Sequence, residues 1–439
     1  MWLKLGILFH YLVFRYFRKF RTREELESWQ EARIAKHLGR LRKRSAYLRE
    51  KLDALGERGW RELPLMNKQI MMDSFDSLNT VGVTRSEAFR VAIQSEETRN
   101  FSPTIGDITV GLSSGTSGNR GIFLVSPAER AAHAGAILAK ILPGSLFARW
   151  SVAFFLRANS NLYSTSQSKN LAFHYFDLLA ELHEHVERLN TLKPDLLIGP
   201  PSLLRKLAEA NQMGGLRIHP RKIVSVAEVL DPIDRRTIEK SFGQIVHQVY
   251  QCTEGFLGIT CERGVLHLNE DLVHIEPQWL DDSKTRFHPI ITDFSRTSQP
   301  IVRYVLNDIL TLKKEPCACG SVFRALEQIE GRADDCLEFY SLDGGTTEIY
   351  PDFIRRCILF ADEGVSEYRV TQGEAGRVSV ALRFDRPEER GEIQESISRA
   401  FEDLAALKKF KMPDIEYHEN FPELGLKKLR RIEREKKSE

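Results

Sequence analysis

Residues Ser113-Ser-Gly-Thr-Ser-Gly-Asn-Arg-Gly121 lie between two apolar runs, Ile108-Thr-Val-Gly-Leu112 and Ile122-Phe-Leu-Val125. Both runs have strand character, so the stretch reads as a strand–loop–strand connection. Its glycines permit positive φ and close approach, and its hydroxyls add donors. A loop of this kind can fold its backbone N–H groups around an anion, with a polyphosphate as the natural guest. It is not a Walker A motif, because no Gly-Lys-Ser/Thr closes it and no helix clearly follows. Taken alone, a Gly/Ser loop is more often a surface turn. Residues farther along the chain decide between the two.

The chain has 439 residues, more than one ordinary core holds, so two or three domains are expected. A content of 42% hydrophobic and 28% charged residues is that of a globular protein. The formal net charge of +2 points to no polyanionic partner, and nucleic acid is not suggested. Near the start, Leu5–Phe14 is an apolar run of about ten residues, short of the roughly 20 that span a bilayer. Arg15-Tyr-Phe-Arg-Lys-Phe-Arg-Thr-Arg23 follows where a signal peptide would want small residues. The reading is an amphipathic helix with a basic end. It either packs on the body of the protein or rests on an anionic membrane surface. With no export signal, the six cysteines raise the question of metal ligation rather than disulfides, and the expected location is cytoplasmic or membrane-peripheral.

Residues 24–60 look helical and charged, with apolar positions at helical spacing. From there, strand-like and helix-like segments alternate. Val152–Leu156, Asp195–Gly199, Lys222–Ala227 and Ile245–Tyr250 read as strands. Leu171–Leu189, Ser202–Ala210 and Pro232–Phe242 read as helices. This alternation implies stacked α/β units around parallel sheet. After about residue 332 the character changes. Tyr368–Thr371 and Val378–Phe384 read as strands and Glu392–Leu407 as a helix, an α+β unit of roughly 100 residues. The expected division is a helical segment 1–60, a large domain 61–332 and a small domain 333–439.

The strand ending at Tyr250 runs into Gln251-Cys-Thr253-Glu254-Gly255. Ligands collect at the carboxyl ends of strands in open α/β sheets. An aromatic there can stack on a base, Thr253 can donate to a phosphate, and Glu254 can hold Mg²⁺. A helix N-cap followed by an acid in its first turn is the competing meaning. Farther on, Asp308 follows Arg303-Tyr304 and could take both hydroxyls of a ribose. Arg303–Asp308 could equally be a structural ion pair. Gly331-Arg332-Ala-Asp334-Asp335 then marks the change in character, unless it is an ordinary turn.

In this order, these elements resemble the motifs of the adenylate-forming superfamily of acyl-CoA ligases and adenylation domains. Within it the chain looks most like the phenylacetate-CoA ligase and coenzyme F390 synthetase branch, over residues 40 to 433. The resemblance implies an α/β fold: a large N-terminal domain of stacked α/β sheets and a small, mobile α+β C-terminal domain. It implies that Ser113, Ser114, Gly115, Thr116, Ser117 and Gly118 form the phosphate loop, and that Ala227 and Glu228 line the adenine. Tyr250 would lie on the adenine ring, with Thr253 and Glu254 the phosphate and Mg²⁺ residues. Asp308 would bind ribose, Arg332 would contact the nucleotide, and Asp334 would be the hinge. Leu424-Gly-Leu-Lys427-Lys428-Leu-Arg430 resembles the family's lysine-bearing ending. Lys427 is the best match for the catalytic lysine and Lys428 the second.

Two departures stand out. Asn119-Arg120 replaces the cation that usually follows the loop's last motif glycine, with Arg120 as a substitute one place later. Gln251 replaces the usual glycine after the aromatic, which puts a larger side chain near the acyl site. His174, Tyr175 and Phe176 are candidates for the acyl pocket, with a helix packing face as the alternative.

A second constellation is Cys261 and His267 with Cys317 and Cys319. Four such ligands in two pairs suit tetrahedral Zn²⁺, and the resemblance supports a structural zinc. Cys336 and Cys357 read as packing residues, and Cys252 as a residue of the acyl pocket. The expected function is activation of a carboxylic acid, aromatic or otherwise apolar, by Mg·ATP through an acyl-adenylate. Transfer to a thiol follows, CoA first and carrier-protein phosphopantetheine second. Adenylyl transfer to a hydroxyl, amide or ester formation, and a nucleotide-binding regulator without turnover are the alternatives. A homodimer is left open.

Overall fold

The computed structural model describes residues 2–98, 103–112, 120–156, 168–362, 364–374, 376–421 and 428–435. The chain divides into two compact units. The first comprises Met1–Leu230, Asp234–Leu306 and Leu312–Glu327, and the second Asp231–Ile233, Asn307–Thr311 and Gln328–Glu439.

In the first unit, β1 (Thr104–Ile105), β2 (Ile108–Leu112) and β3 (Ile122–Val125) form a three-stranded antiparallel sheet. Thus β2 and β3 pair with Leu112 opposite Ile122, at the two ends of the Gly/Ser segment. Gly111 faces Phe123 across this pair, and a Cβ on Gly111 would lie 2.1 Å from the Phe123 ring. The missing side chain is what lets the ring lie over the strand. The buried Gln299 side chain serves β3 twice: its oxygen accepts from Leu124 N–H at 2.9 Å and its Nε2 donates to the Ile122 carbonyl at 3.0 Å.

The main sheet is built on β4 (Trp150–Leu156), β5 (Leu171–Asp177), β6 (Leu196–Gly199), β7 (Lys222–Ser225) and β8 (Val246–Cys252). They are parallel and ordered β5-β4-β6-β7-β8. Helices Leu182–Leu192, Pro201–Gln212 and Pro232–Phe242 lie between successive strands in sequence, which is the expected α/β alternation. Leu189, Leu204, Leu207 and Ile238 pack with Phe155, Leu197, Ile223 and Val246 in one core. The sheet then turns antiparallel through β9 (Gly255–Thr260) and β10 (Leu266–Leu268). A further antiparallel set is β11 (Val273–Trp279), β12 (Arg286–Asp293) and β13 (Ile301–Val305).

One expectation fails. Residues 171–189 are not a single helix: β5 occupies Leu171–Asp177 and the helix starts at Leu182. Leu-Ala-Phe-His-Tyr-Phe is aromatic-rich and suits a strand. Asp177 then makes a turn, accepting Leu179 N–H on its side chain and Ala180 N–H on its carbonyl. Phe176, offered as a pocket residue, is fully buried and stacks on Phe155 with centroids 4.6 Å apart. His174 and Tyr175 are half-buried on the same strand.

Helices Trp2–Leu12, Arg23–Arg44 and Ala46–Leu55 also belong to the first unit. Thr22 and Ser45 cap the second and third by accepting N–H groups three residues on. The fully buried Glu270 accepts from Arg23 at 2.5 and 2.7 Å and from Arg324 at 2.9 Å. Burial opposes its charge, yet the guanidiniums of Arg324 and Arg23 hold its carboxyl below the usual range.

In the second unit, β14 (Asp308–Leu312) and β15 (Ala325–Arg332) contribute their residues 308–311 and 328–332. The hairpin of β16 (Leu337–Tyr340) and β17 (Thr346–Ile349) follows. A four-stranded sheet is built from β18 (Val365–Gln372), β19 (Arg377–Phe384), β20 (Asp414–His418) and β21 (Ile432–Arg434), in the order β20-β19-β18-β21. Helices Pro351–Leu359 and Arg390–Lys408 supply Ile354, Ile358, Ile397 and Phe401 to its core. Within it Asp231 accepts from the Tyr368 hydroxyl at 2.7 Å and from Arg355 at 3.2 Å.

His37, on the helix Arg23–Arg44, is 2% exposed, and neither ring nitrogen has a hydrogen-bond partner among the described residues. Burial, then the Arg40 charge, lowers its pKa to about 4. The folded value lies below the unfolded one, so unfolding takes up a proton between them. The contribution to stability is full above pH ~6.5 and is lost as pH falls toward ~4, by on the order of 2–3 kcal/mol. Burial also lowers His133, His247 and His274 to about 4, so His37→Leu should reduce rather than abolish the acid sensitivity. Urea midpoints at pH 7.5 and pH 5 check this, and an unchanged difference between the two in His37→Leu would count against it.

Candidate active site

Strands β7 and β8 are neighbours and parallel, with Ser225 opposite Gln248. Their carboxyl ends therefore open on the same edge of the sheet, where ligands of α/β folds collect. Beyond β7 the chain bends sharply, with Glu228 N–H donating to the Val226 carbonyl at 2.9 Å. Ala227, at the centre of that turn, has φ +71°, a conformation that costs a non-glycine residue energy. This exposes Ala227 and half-buries Glu228.

The end of β8 carries Tyr250, Gln251, Cys252, Thr253 and Glu254. Cys252 pairs with Gly255, so Thr253 and Glu254 form the two-residue tip of an antiparallel hairpin. No helix starts there, so the N-cap meaning is set aside. The register shifts between Tyr250 and Gln251, which pair with Gly258 and Phe256. A bulge of this kind re-aims side chains at a strand end. Tyr250 is 7% exposed, Gln251 is open, and Thr253 and Glu254 are half-buried. Gly258 sits where a Cβ would be 2.8 Å from the His267 carbonyl, so β9 needs glycine where β10 runs beside it. Gln251 Nε2 lies 3.3 Å from His133 Nε2, and that imidazole stands edge-on to Phe256.

Two residues that the sequence reading passed over hold this edge in place. Glu129 is 7% exposed and accepts from Ser126 N–H at 2.7 Å, Thr297 N–H at 2.5 Å and Ser298 N–H at 2.8 Å. The Ser126 and Ser298 hydroxyls add bonds at 2.8 and 2.5 Å. Burial penalises its charge, but Arg296, the Ser298 hydroxyl and the backbone donors keep its carboxyl below the usual range. Arg296 donates to the Thr253 carbonyl at 3.1 Å and to the Leu124 carbonyl at 3.4 Å. It thereby ties β3 to the Thr253–Glu254 tip. Ser126-Pro-Ala-Glu129 is a capping box at the start of the helix Pro127–Ile141, and that signal was present in the sequence.

The remaining nucleotide candidates described lie in the second unit. Asp308 begins β14 and Arg332 ends β15, with Asp308 Oδ1 3.9 Å from Arg332 Nε. Arg303 instead pairs with Glu276 at 3.3 Å and donates to the Leu63 carbonyl, which answers the Arg303–Asp308 alternative. Asp334 sits in the short 3₁₀ turn Ala333–Asp335 directly after β15. Next to it, burial raises Asp335 to about 6 against the pull of Arg430 (2.7 Å away) and Arg332. Ser113, Ser114, Gly115, Thr116, Ser117, Gly118 and Lys427 lie outside the described residues. Arg120, the proposed substitute cation, pairs with Glu96 at the surface.

The cysteine–histidine constellation does converge in the first unit. One ligand atom from each of Cys261, His267, Cys317 and Cys319 lies within 4.8 Å of all the others. Cys261 Sγ is 3.9 Å from Cys317 Sγ, and Cys319 Sγ is 3.4 Å from His267 Nε2. His267 Nδ1 is 3.0 Å from the Phe323 carbonyl, so a proton held there frees Nε2 to face the thiols. That is the orienting contact a metal-bound imidazole normally makes. Burial raises the Cys317 thiol, but hydrogen bonds from the Cys319 backbone, His267 and the other two thiols bring it down to about 7. Three sulfurs and one nitrogen in a closed group suit a tetrahedral soft cation. Cys336 and Cys357 are buried apart from it, with thiols raised to about 12, foremost by burial.

No protein-family model matches the chain. Over 385 residues it is 23% identical to phenylacetate-coenzyme A ligase of Thermus thermophilus, covering 82% of this chain and 81% of the relative. Over 183 residues it is 29% identical to indoleacetate–lysine synthetase of Pseudomonas savastanoi, a match spanning 39% of this chain and 44% of that protein. A solved structure of 2-hydroxyisobutyryl-CoA ligase, in the postadenylation state with its acyl-adenylate, matches the fold with a TM-score of 0.69. That match covers 95% of this chain and 91% of the other at 17% identity, a likeness of fold. The chain is thus similar over most of its length to a phenylacetate-coenzyme A ligase, and it shares the fold of an acyl-CoA ligase.

Glu129→Ala removes the acceptor of several buried donors at once and should destabilise the fold by about 3 kcal/mol. It should also weaken nucleotide binding, because Arg296, which ties β3 to the Thr253–Glu254 tip, loses the buried carboxylate that its charge faces. Urea unfolding and ATP titration read the two effects. A variant as stable as the parent would show that the web carries no weight.

Proposed function

We infer that this protein activates a carboxylic acid with Mg·ATP and passes the acyl group to a thiol, CoA first. The observation that carries the reading is the shared edge of β7 and β8. A strained turn at Ala227–Glu228 and the bulged Tyr250–Glu254 hairpin meet there in a chain that aligns with a phenylacetate-coenzyme A ligase over 82% of its length. In this reading Tyr250 stacks on adenine beside Ala227 and Glu228, Thr253 binds a phosphate oxygen, and Glu254 holds Mg²⁺. Ser113–Gly118 cradle the leaving pyrophosphate, Asp308 binds the ribose and Arg332 contacts the nucleotide. Lys427 neutralises charge as the carboxylate attacks the α-phosphorus. Asp334 is the hinge about which residues 333–439 turn between the two half-reactions. The fuller side chain of Gln251, held beside His133, shapes the acyl end of the site. A carrier-protein thiol is the second acceptor.

Amide formation has its own support, because the match to indoleacetate–lysine synthetase has the higher identity over its shorter span. Product analysis separates the readings. Incubation with ATP, Mg²⁺, CoA, lysine and a panel of aromatic and aliphatic acids should yield AMP and an acyl-CoA by mass spectrometry. An acyl-lysine as the sole product would establish the amide reading instead. Lys427→Ala should lower adenylation by roughly 100-fold or more while sparing thioester formation from supplied acyl-AMP. Equal loss of both half-reactions would remove Lys427 from the role assigned to it.

Cys261, His267, Cys317 and Cys319 fit a structural zinc ion, with no open position for chemistry. Thiolate ligands and a CoA acceptor both suit a reducing, cytoplasmic compartment. Freshly purified protein should contain about one equivalent of zinc by elemental analysis, and Cys317→Ser should lose it together with thermal stability. Wild-type protein with well under one equivalent would refute the site.

A further inference from the structure

The helix Trp2–Leu12 has two faces of opposite character. One is packed: Ile7 and Tyr11 are buried, Gly6 lies against Ala131, and Gly135 lets the backbone at Ile7 and Tyr11 approach closely. The Tyr11 hydroxyl accepts Leu146 N–H at 2.9 Å, and Arg15 donates to the carbonyls of Ala139 and Leu142 at the end of the helix Pro127–Ile141. These contacts fix the helix on the first unit with its opposite side outward. That side carries Trp2, Leu5 and Phe9 at i, i+3 and i+7, which are 85%, 53% and 62% exposed. Phe17, just beyond, is 79% exposed. Large apolar side chains aligned on one outward face mark an interaction surface.

Charge selects the partner. Residues 2–23 contain Lys4, Arg15, Arg18, Lys19, Arg21 and Arg23 and no acidic residue. Lys4, Lys19 and Arg21 are exposed, while Arg18 is spent on the Asp271 carbonyl and on the Phe14 and Trp29 rings. Two copies meeting through this segment would bring like charges together. No helix among the described residues is long and apolar enough to cross a membrane. An aromatic and aliphatic stripe within a purely basic segment is instead the pattern of a helix that lies in the plane of a lipid interface.

We propose that the outward face of the helix Trp2–Leu12 docks the protein on an anionic bilayer surface. Trp2, Leu5, Phe9 and Phe17 enter the headgroup boundary, and Lys4, Lys19 and Arg21 meet lipid phosphates. The inference stands independently of the reaction assigned to the site.

The test is sedimentation of the full chain with vesicles of phosphatidylcholine alone or with about 30 mol% phosphatidylglycerol, at low and high salt. Anionic vesicles should bind the protein at least ~10-fold more tightly than neutral ones, with binding weakened by salt. Trp2→Glu/Phe9→Glu should lose at least ~10-fold of that affinity at an unchanged melting temperature. If this double variant melts early, Lys19→Glu/Arg21→Glu decides, and it should lose the preference for anionic lipid. Wild-type protein left in the supernatant, or binding indifferent to the deciding variant, overturns the proposal. So does a lipid-free dimer, seen by light scattering, that Trp2→Glu/Phe9→Glu dissolves, because the face would then belong to a second copy.

Discussion

The carboxylate of Glu129 is the contact on which the candidate site depends. It is buried, and it stays charged because Arg296, three hydroxyls and three backbone N–H groups surround it. A buried charge met so completely fixes its neighbours, since any displacement leaves a donor or the charge itself unmet. Its neighbours are the start of the helix Pro127–Ile141 and the loop 297–298, while Arg296 reaches on to β3 and to Thr253. One carboxylate thus sets the positions of the β2–β3 pair that flanks the Gly/Ser segment and of the hairpin tip assigned to Mg²⁺ and phosphate. Glu270 plays the corresponding part for the N-terminal helices and the strands beside the thiol cluster.

Around these anchors the chain accepts strain in places where a ligand would approach. Ala227 takes a positive φ without being glycine, and the ladder slips by a residue between Tyr250 and Gln251. Glycine is kept where β9 meets the His267 carbonyl of β10 and where Phe123 covers β2. The turn at Ala227 and the slip after Tyr250 lie at the carboxyl ends of β7 and β8, whereas the parallel ladders beneath them run in unbroken register. That division suits a rigid sheet presenting a shaped edge.

Much of this was legible in the sequence because it rests on local patterns. The parallel strands follow from apolar runs between helical stretches, and the thiol cluster from two pairs of ligands. The ordered motifs at Tyr250–Glu254, Asp308 and Arg332 carry the resemblance to the adenylate-forming superfamily. What was not legible depends on partners distant in sequence. Residues 171–177 have enough apolar character for either element, and pairing with β4 decides for strand. Phe176 read as a pocket aromatic because nothing local says that Phe155 lies against it. Glu129 announced itself only as a helix cap, since its bonds to 297–298 bridge about 170 residues. The surface pairing of Arg120 with Glu96 was likewise invisible in the loop itself.

The central claim is that the edge built by β7 and β8 is an adenylation site, and pyrophosphate exchange tests it most directly. Protein shown to bind ATP should incorporate labelled pyrophosphate into ATP only when its carboxylic acid is present, and Glu254→Ala should abolish the exchange while leaving the fold intact. Bound ATP with no exchange across a broad panel of aromatic and aliphatic acids would contradict the account and leave a nucleotide-binding protein without turnover.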